Sequence, residues 1–312
     1  AQDDLNYYVP RTDPEGPSMS DSVASIDSAA LGTPGCSSYV FTQRSVDPFI
    51  RDGFDQFSET KSGGAFTFMT GIGGFLQEFL YGFSGLRRNA GTVQLAPSLT
   101  AQLSDVVLHN LSWHGRRFTV TIGPHVTTVS VTSGPALPLD VGNRLRHVQS
   151  GHAVTVATRR PDRSATGDVV RCAQATATTS QPGAPALAAV DGSPASDWQP
   201  LTLPATLTTP VDNGPRTVGT VTLDWGQMWP AAPAPNRHPA PGPVTTLRAS
   251  AYTVAVSVDG RSWRTVATVS GRTTGATDVV HFPATAARYI AVHITASANT
   301  QPPEVDELVV TR

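Results

Sequence analysis

Few residues in this chain combine the type and the setting needed to break a bond, and Glu59 is foremost among them. It lies within residues 54–85, FDQFSETKSGGAFTFMTGIGGFLQEFLYGFSG, between the aromatic pair Phe54 and Phe57 and the flexible run Ser62-Gly63-Gly64. A carboxylate in such a place can take a proton from water, which is general-base work. The bland alternative is a solvated loop glutamate. Beyond the glycines, Phe66, Phe68, Met69, Ile72, Phe75, Leu76, Phe79, Leu80 and Phe83 recur at spacings of three and four, which predicts a helix with a broad apolar face. Gly71, Gly73 and Gly74 sit at its start, each costing roughly 1 kcal/mol of helix propensity against alanine. That cost points to close backbone approach, by a neighbouring helix or by a ligand at the helix N-terminus. The expected arrangement is a carboxylate on a mobile turn, held over the glycine-rich mouth of a buried helix.

Other reactive side chains are less organised. His109, His114, His125, His147 and His152 are scattered without an H-x-H or HExxH spacing, so they read as surface or satisfied histidines rather than metal ligands. The two cysteines, Cys36 and Cys172, are either buried thiols or one disulfide between the helical and later β parts. The second choice would suit an exported protein. Charge is nearly balanced, with 22 Lys and Arg against 24 Asp and Glu, which argues against nucleic acid or an acidic membrane surface as partner. No apolar run approaches the roughly 18 residues of a membrane span. Lys61 is the only lysine, and the Ala-, Thr-, Val-, Pro- and Arg-rich composition suggests a high-GC bacterial source. The chain starts AQDD, without Met or a signal-like apolar region, and so reads as a processed or truncated product.

These residues must be positioned by surrounding elements. Residues 1–91 read as about three helical pieces. Asp13-Pro14 and Gly16-Pro17 mark turns, Ser18 or Ser20 could cap a helix carrying Val23, Ile26, Ala30 and Leu31 on one side, and Gly32 would stop it. Residues 92–160 change to alternating apolar and polar residues, with His114-Gly115 as a tight turn, which predicts a small antiparallel β-sandwich. Residues 161–168, polar and Pro-containing, read as a linker. Residues 169–312 form a second all-β unit with a hairpin signal at Asp259-Gly260 and a proline-rich excursion over 227–243. Trp198 and Trp225 are expected in its core.

The run PFIRDGFDQFSET followed by GGAFTFMTGIGGFLQEFLYGFSGLR resembles the end of the catalytic domain of glycoside hydrolase family 65, in its acid-trehalase-like branch. The resemblance covers roughly residues 1–160. It implies an inverting enzyme built on an (α/α)6 barrel, of which this chain holds the last helices. It places the general base, the Glu of the QFSE segment, on Glu59. In the family's phosphorylases the helix start resembles HxxSxGG, whose His and Ser hold phosphate; aligned on Gly73-Gly74, this chain has Phe68 and Gly71 there. Neither offers a side-chain donor to phosphate, so water is the expected nucleophile. The family's general acid is a Glu well over a hundred residues before the base, further than this chain reaches. The acid, and most of the sugar pocket, is therefore expected from an N-terminal fragment of the same enzyme, cut at or before Ala1.

The later unit resembles a discoidin-like domain, the jelly-roll fold of family 32 carbohydrate-binding modules, through AAVDGSPASDWQP, SVDGRSWRTV, ARYIAVHI and DELVV. Many such modules hold a structural calcium. Carried over residue by residue, its ligands fall on Asp191, Ser193, Ser196 and Glu307. Ser193 stands where an acidic residue is common and Ser196 where Thr is common, so weak binding is expected. Trp229 and His238 are the candidates for sugar contact, and no organic cofactor is implied. The resulting expectation is a secreted or cell-envelope α-glucosidase acting on α,α-trehalose, with a glycan ligand for the attached module. Kojibiose, nigerose or a glycan glucoside are alternatives, as is a non-catalytic carbohydrate-binding fragment.

Overall fold

The computed structural model describes residues 1–89, 91–211, 214–230 and 243–312. Residues 17–164, with Gln2, form one compact unit, and residues 165–312, with Ala1 and 3–16, form the other. The segment 3–16, expected with the helices, thus belongs to the later β unit. Both cysteines are disulfide-bonded.

Helix α1 (Gln2–Tyr8) opens the chain; the first unit then begins with α2 (Ser20–Leu31) and α3 (Ser37–Val46). Gly32 ends α2 at φ 63°, a left-handed conformation that glycine adopts without strain. Ser18 is not the cap: its backbone N–H donates to the Glu59 carbonyl at 2.8 Å and its hydroxyl to the Ser58 carbonyl at 3.3 Å. The buried side of α2 is Ser22, Ala24, Ser25, Ser28 and Ala29, whereas Val23 is 56% exposed. Small residues let α2 and α3 approach closely, and their hydroxyls satisfy one another: Ser25 with Thr42 at 3.0 Å, Ser28 with Ser37 at 2.6 Å.

A short sheet follows, made of β1 (Ile50–Arg51), β2 (Gln56–Thr60) and β3 (Gly63–Phe66) in that order. Next comes α4 (Met69–Gln77), extended by a π-helical segment, Glu78–Phe83. The apolar periodicity from Phe66 onward therefore overstates the helix, because Gly63–Phe66 is committed to pairing with β2.

The sandwich comprises β4 (Arg87–Arg88), β5 (Val93–Leu95), β6 (Val106–Trp113), β7 (Arg116–Ile122), β8 (Val126–Ser133), β9 (Leu137–Val141), β10 (Leu145–Val148) and β11 (Ala153–Ala157). Its two four-stranded sheets run β10-β9-β5-β4 and β11-β8-β7-β6 around Leu95, Phe118, Val120, Ile122, Leu137 and Leu139. The β6–β7 turn uses His114 at φ 45° and Gly115 at φ 75°, the left-handed pair a two-residue hairpin requires. One strand pairing of the sandwich departs from the antiparallel expectation: β5 and β9 are parallel, because β6, β7 and β8 of the second sheet are traversed between them. Arg159 ties helix to sandwich, donating to the Ala29 carbonyl at 2.9 Å and the Ala96 carbonyl at 3.2 Å. Residues 161–163, read as linker, form a 3-10 turn held by the Arg160–Asp162 ion pair at 2.7 Å.

The later unit contains β12 (Thr176–Ala177), β13 (Ala205–Pro210), β14 (Arg216–Trp225), β15 (Gln227–Met228), β16 (Thr245–Thr246), β17 (Ala249–Ser257), β18 (Arg264–Val269), β19 (Thr277–Ala287), β20 (Tyr289–Ser297) and β21 (Val305–Thr311). A five-stranded sheet, β12-β13-β20-β17-β18, and a three-stranded one, β19-β14-β21, share one core. Trp198 and Trp225 are buried in it, as expected, with Leu207, Leu223, Tyr252 and Ile294.

Candidate functional site

Glu59 is on strand β2, not on a turn. The turn is Lys61-Ser62, and the chain returns through Gly63 and Gly64 at φ 138° and 80°. Arg51 secures this tip, donating to the Thr60 carbonyl at 3.0 Å and also to the Lys61 carbonyl. The strand is anchored from below. Ser58 donates its hydroxyl to the Phe49 carbonyl at 3.0 Å, and Phe57 stacks on Phe49 with ring centroids 5.9 Å apart.

On this support the half-buried Glu59 side chain accepts one hydrogen bond at Oε2, from the Ala65 backbone N–H at 3.0 Å. Its Oε1 makes no hydrogen bond among the described residues and is open to a water molecule. Gly64 is what allows the close return: a Cβ there would lie 2.9 Å from Glu59 Oε2. The arrangement fixes a carboxylate on an ordered strand with one oxygen restrained and one available, which is what a general base needs.

The glycine-rich helix start divides its roles. A Cβ at Gly71 would lie 2.7 Å from Phe57 Cε1 and 2.8 Å from the Ser18 carbonyl, and one at Gly74 would lie 2.5 Å from Ser22 Oγ. Both serve helix-to-support contact. Gly73 alone has nothing within 4 Å of a built Cβ. Around this region Phe54 is 90% exposed, and Phe66, Met69, Leu76 and Val23 are exposed as well. The helical layer is thus closed by its small polar side, leaving large apolar side chains outside.

In the later unit the four residues expected around calcium do converge, and all are buried. The Asp191 carboxylate accepts from the Ser193 N–H at 2.8 Å and the Ser196 hydroxyl at 2.6 Å. Glu307 Oε2 accepts from the Gly192 N–H at 3.1 Å, while its Oε1 is buried without a hydrogen bond, 3.7 Å from Arg171 Nη2. Burial, then the Asp191 charge, push the Glu307 carboxyl well above its ordinary value. Among the described residues no group of three or more His, Cys, Asp or Glu side chains is disposed to hold a metal ion. Calcium at this loop would therefore draw on hydroxyl and carbonyl oxygens beside the two carboxylates, and the orphaned, charge-strained Glu307 oxygen fits a hard cation.

Trp229 does not present two open faces. The Arg11 guanidinium lies 3.4 Å from its ring centroid and 3.8 Å from that of Tyr7, so a cation is sandwiched between two rings. His238 lies outside the described residues.

Two buried ionic features were not anticipated from the sequence. Glu78 is fully buried at the foot of α4. Arg248 and Asp278, both buried, form an ion pair at 2.6 Å, and Tyr252 donates to the same carboxylate at 2.8 Å. An acidic residue inside an otherwise apolar helix was the available signal for the first. The second joins Arg248, just before β17, to Asp278 on β19, 30 residues on, which no local spacing reveals.

Residues 86–148 match the glycosyl hydrolase family 65 C-terminal domain, and residues 240–308 match the F5/8 type C domain. The two matched stretches lie one in each compact unit. The chain is similar to a cell wall acid trehalase of Arthroderma benhamiae, 29% identical over 282 residues, covering 78% of this chain and 26% of the relative. It is also similar to a protein-glucosylgalactosylhydroxylysine glucosidase of Dictyostelium discoideum, 30% identical over 129 residues, covering 41% of this chain and 18% of that protein. The chain thus spans about a quarter or less of these relatives' length. Among solved structures, a chitosan-binding module from a Paenibacillus chitosanase/glucanase matches 47% of the chain and 100% of the module at 25% identity, with a TM-score of 0.38. No described helix is long and apolar enough to cross a membrane.

Proposed function

We propose that this family 65 chain supplies the general base of an inverting α-glucosidase whose substrate is α,α-trehalose. The observation that carries the reading is Glu59, restrained at Oε2 and open at Oε1, in the chain segment leading directly into the family 65 domain. In an inverting mechanism two carboxyl groups stand roughly 6.5–9.5 Å apart across the glycosidic bond. The acid protonates the leaving oxygen while Glu59 takes a proton from water attacking the opposite face of the sugar. One water is consumed and a β-configured glucose leaves. Phe68 and Gly71 supply no side-chain donors for phosphate, which supports water rather than phosphate as the attacking group.

The chain spans about a quarter of the acid trehalase it resembles, and the general acid and the remaining barrel belong to the rest of such an enzyme. Phe54, Phe66, Met69 and Leu76 are exposed, and large apolar side chains in that position favour cover by further chain. The F5/8 type C domain holds calcium through Asp191, Ser193, Ser196 and Glu307 and takes a glycan, and the whole works outside the cell or in its envelope. Calcium there would supply charge balance to the Asp191–Glu307 loop. A second substrate reading, glucose on a protein-linked glycan, is supported by the similarity to the Dictyostelium glucosidase.

The test is glucose release by the native material from trehalose, kojibiose, nigerose and a glucosylated hydroxylysine glycan, with and without phosphate. Phosphate-independent hydrolysis of trehalose is expected, yielding one β-glucose and one α-glucose per trehalose before mutarotation. Phosphate-dependent release, or α-glucose alone as the initial product, contradicts the reading.

A further inference from the structure

We propose that Glu78 is held as a neutral carboxylic acid inside the helical layer of the first unit, and that its ionisation is what loosens this layer as pH rises. The argument starts from hydrogen counting. Ser45 Oγ lies 2.8 Å from the Thr42 carbonyl oxygen and 2.6 Å from Glu78 Oε1. A carbonyl can only accept, and a serine has one hydroxyl hydrogen. With that hydrogen on the Thr42 carbonyl, the short contact to Glu78 needs a second hydrogen, and the carboxyl itself must bring it. The other oxygen, Oε2, is buried without any hydrogen-bond partner. A charged carboxylate there would forfeit its solvation, with the hydroxyls of Ser45, Thr42 and Ser25 offsetting only part of that loss, whereas a neutral acid meets Ser45 and leaves only a weak acceptor unsatisfied.

Among the described residues no ion pair to Glu78 is formed. From α2 the titratable groups are Asp21 and the exposed Asp27; from α3 they are Tyr39 and Arg44, with Asp47 in the turn that follows; from β6 there is His109; the π-helical segment of Glu78 itself carries Tyr81, and α4 has none. Arg44 forms an ion pair with Asp21 at 3.1 Å. Burial raises the Asp47 carboxyl too, and burial followed by the Asp47 charge raises the Tyr39 hydroxyl. The layer is thus short of positive charge around Glu78.

Burial pushes the Glu78 carboxyl from its ordinary 4.5 to about 8, against smaller opposing effects of Ser45, Thr42 and Ser25. The folded value is raised, so its contribution to stability is complete below the unfolded value and is lost as pH rises toward the folded one. Between those limits the folded-to-unfolded ratio falls by up to about tenfold for each pH unit. The effect reaches the candidate site through contacts already described: α4 carries Gly71 against Phe57 of β2, the strand that holds Glu59. An acid-favouring device is thereby built under the hairpin, whatever the hydrolase reading proves to be.

The experiment is thermal melting of the full chain from pH 5 to pH 8, for the wild type, Glu78→Gln and Glu78→Met, together with carboxyl carbon NMR of glutamate-labelled wild-type protein. The wild type should lose melting temperature across this range, and both neutral variants should lose much less. The NMR should show a glutamate carboxyl still protonated at neutral pH that is missing from Glu78→Gln. A Glu78→Gln or Glu78→Met profile falling as steeply as the wild type overturns the proposal. So does a wild-type spectrum in which every glutamate titrates as a surface carboxyl, a result that needs no variant to fold.

Discussion

Gly64 and the carboxylate of Glu59 are so close that a single methyl group would come between them, with a Cβ on Gly64 only 2.9 Å from Oε2 and 3.0 Å from the Glu59 Cβ. Gly64 also has φ 80°, a region where a side chain is costly. Gly64→Ala should therefore destabilise the first unit by about 1–2 kcal/mol and displace the Glu59 carboxylate. Hydrolysis by the assembled enzyme should drop by more than the stability loss explains. Melting temperature and kcat of the same preparation separate the two effects.

The glycines at the start of α4 should respond in opposite directions. Gly71→Ala meets Phe57 and Ser18 and should cost roughly 1–3 kcal/mol through overpacking. Gly73→Ala meets nothing within 4 Å and should gain up to about 1 kcal/mol from helix propensity. Chemical denaturation of the two variants settles this; equal losses would mean that the approach of α4 to its support has been misjudged.

The calcium loop predicts a melting shift. Adding calcium should raise, and a chelator lower, the melting temperature of the full chain by the linkage RT ln(1 + [L]/Kd). Glu307→Gln should abolish the difference, because it removes the carboxylate whose buried Oε1 makes no hydrogen bond and lies 3.7 Å from Arg171 Nη2. Curves that superimpose at millimolar calcium and in chelator would remove the metal.

Asp278 sets the acid limit of the later unit. Burial raises its carboxyl, but hydrogen bonds from Arg248 and Tyr252 and the Arg248 charge outweigh that and hold it below its ordinary value. A lowered folded value means stability that is complete above the unfolded pKa and lost as pH falls through the folded one. Asp278→Ala should cost about 3–5 kcal/mol, since it strands the buried Arg248. Asp278→Ala combined with Arg248→Met should recover part of it, as read by urea unfolding of the single and double variants.

Much of the fold was legible from local signals. Gly32 ends α2, His114-Gly115 makes its hairpin, and the period-2 runs became the strands of both sandwiches with Trp198 and Trp225 inside. What failed has a common cause: the sequence shows which residues are apolar, not what covers them. Val23 and Met69 looked like the inside of the helical layer, but its inside is Ser22, Ser25, Ser28 and Gly71, because only small groups permit that helix spacing. Glu59 was read on a turn because Gly63-Gly64 signal flexibility; pairing of Ser58 with Phe66 overrode that propensity and placed it on a strand. The convergence of the Asp191 loop with Glu307, whose carboxylate accepts from Gly192 115 residues earlier, came from family likeness and not from spacing.

The most direct test is Glu59→Gln in the assembled enzyme, assayed on trehalose with and without azide. The glutamine keeps the shape but cannot take a proton, so hydrolysis should fall by roughly 10²- to 10⁴-fold while substrate still binds. Azide needs no base, so it should restore turnover and yield a β-glucosyl azide. Near-normal hydrolysis by Glu59→Gln, or no rescue with any anion despite intact folding and binding, would contradict the assignment of Glu59 as the base.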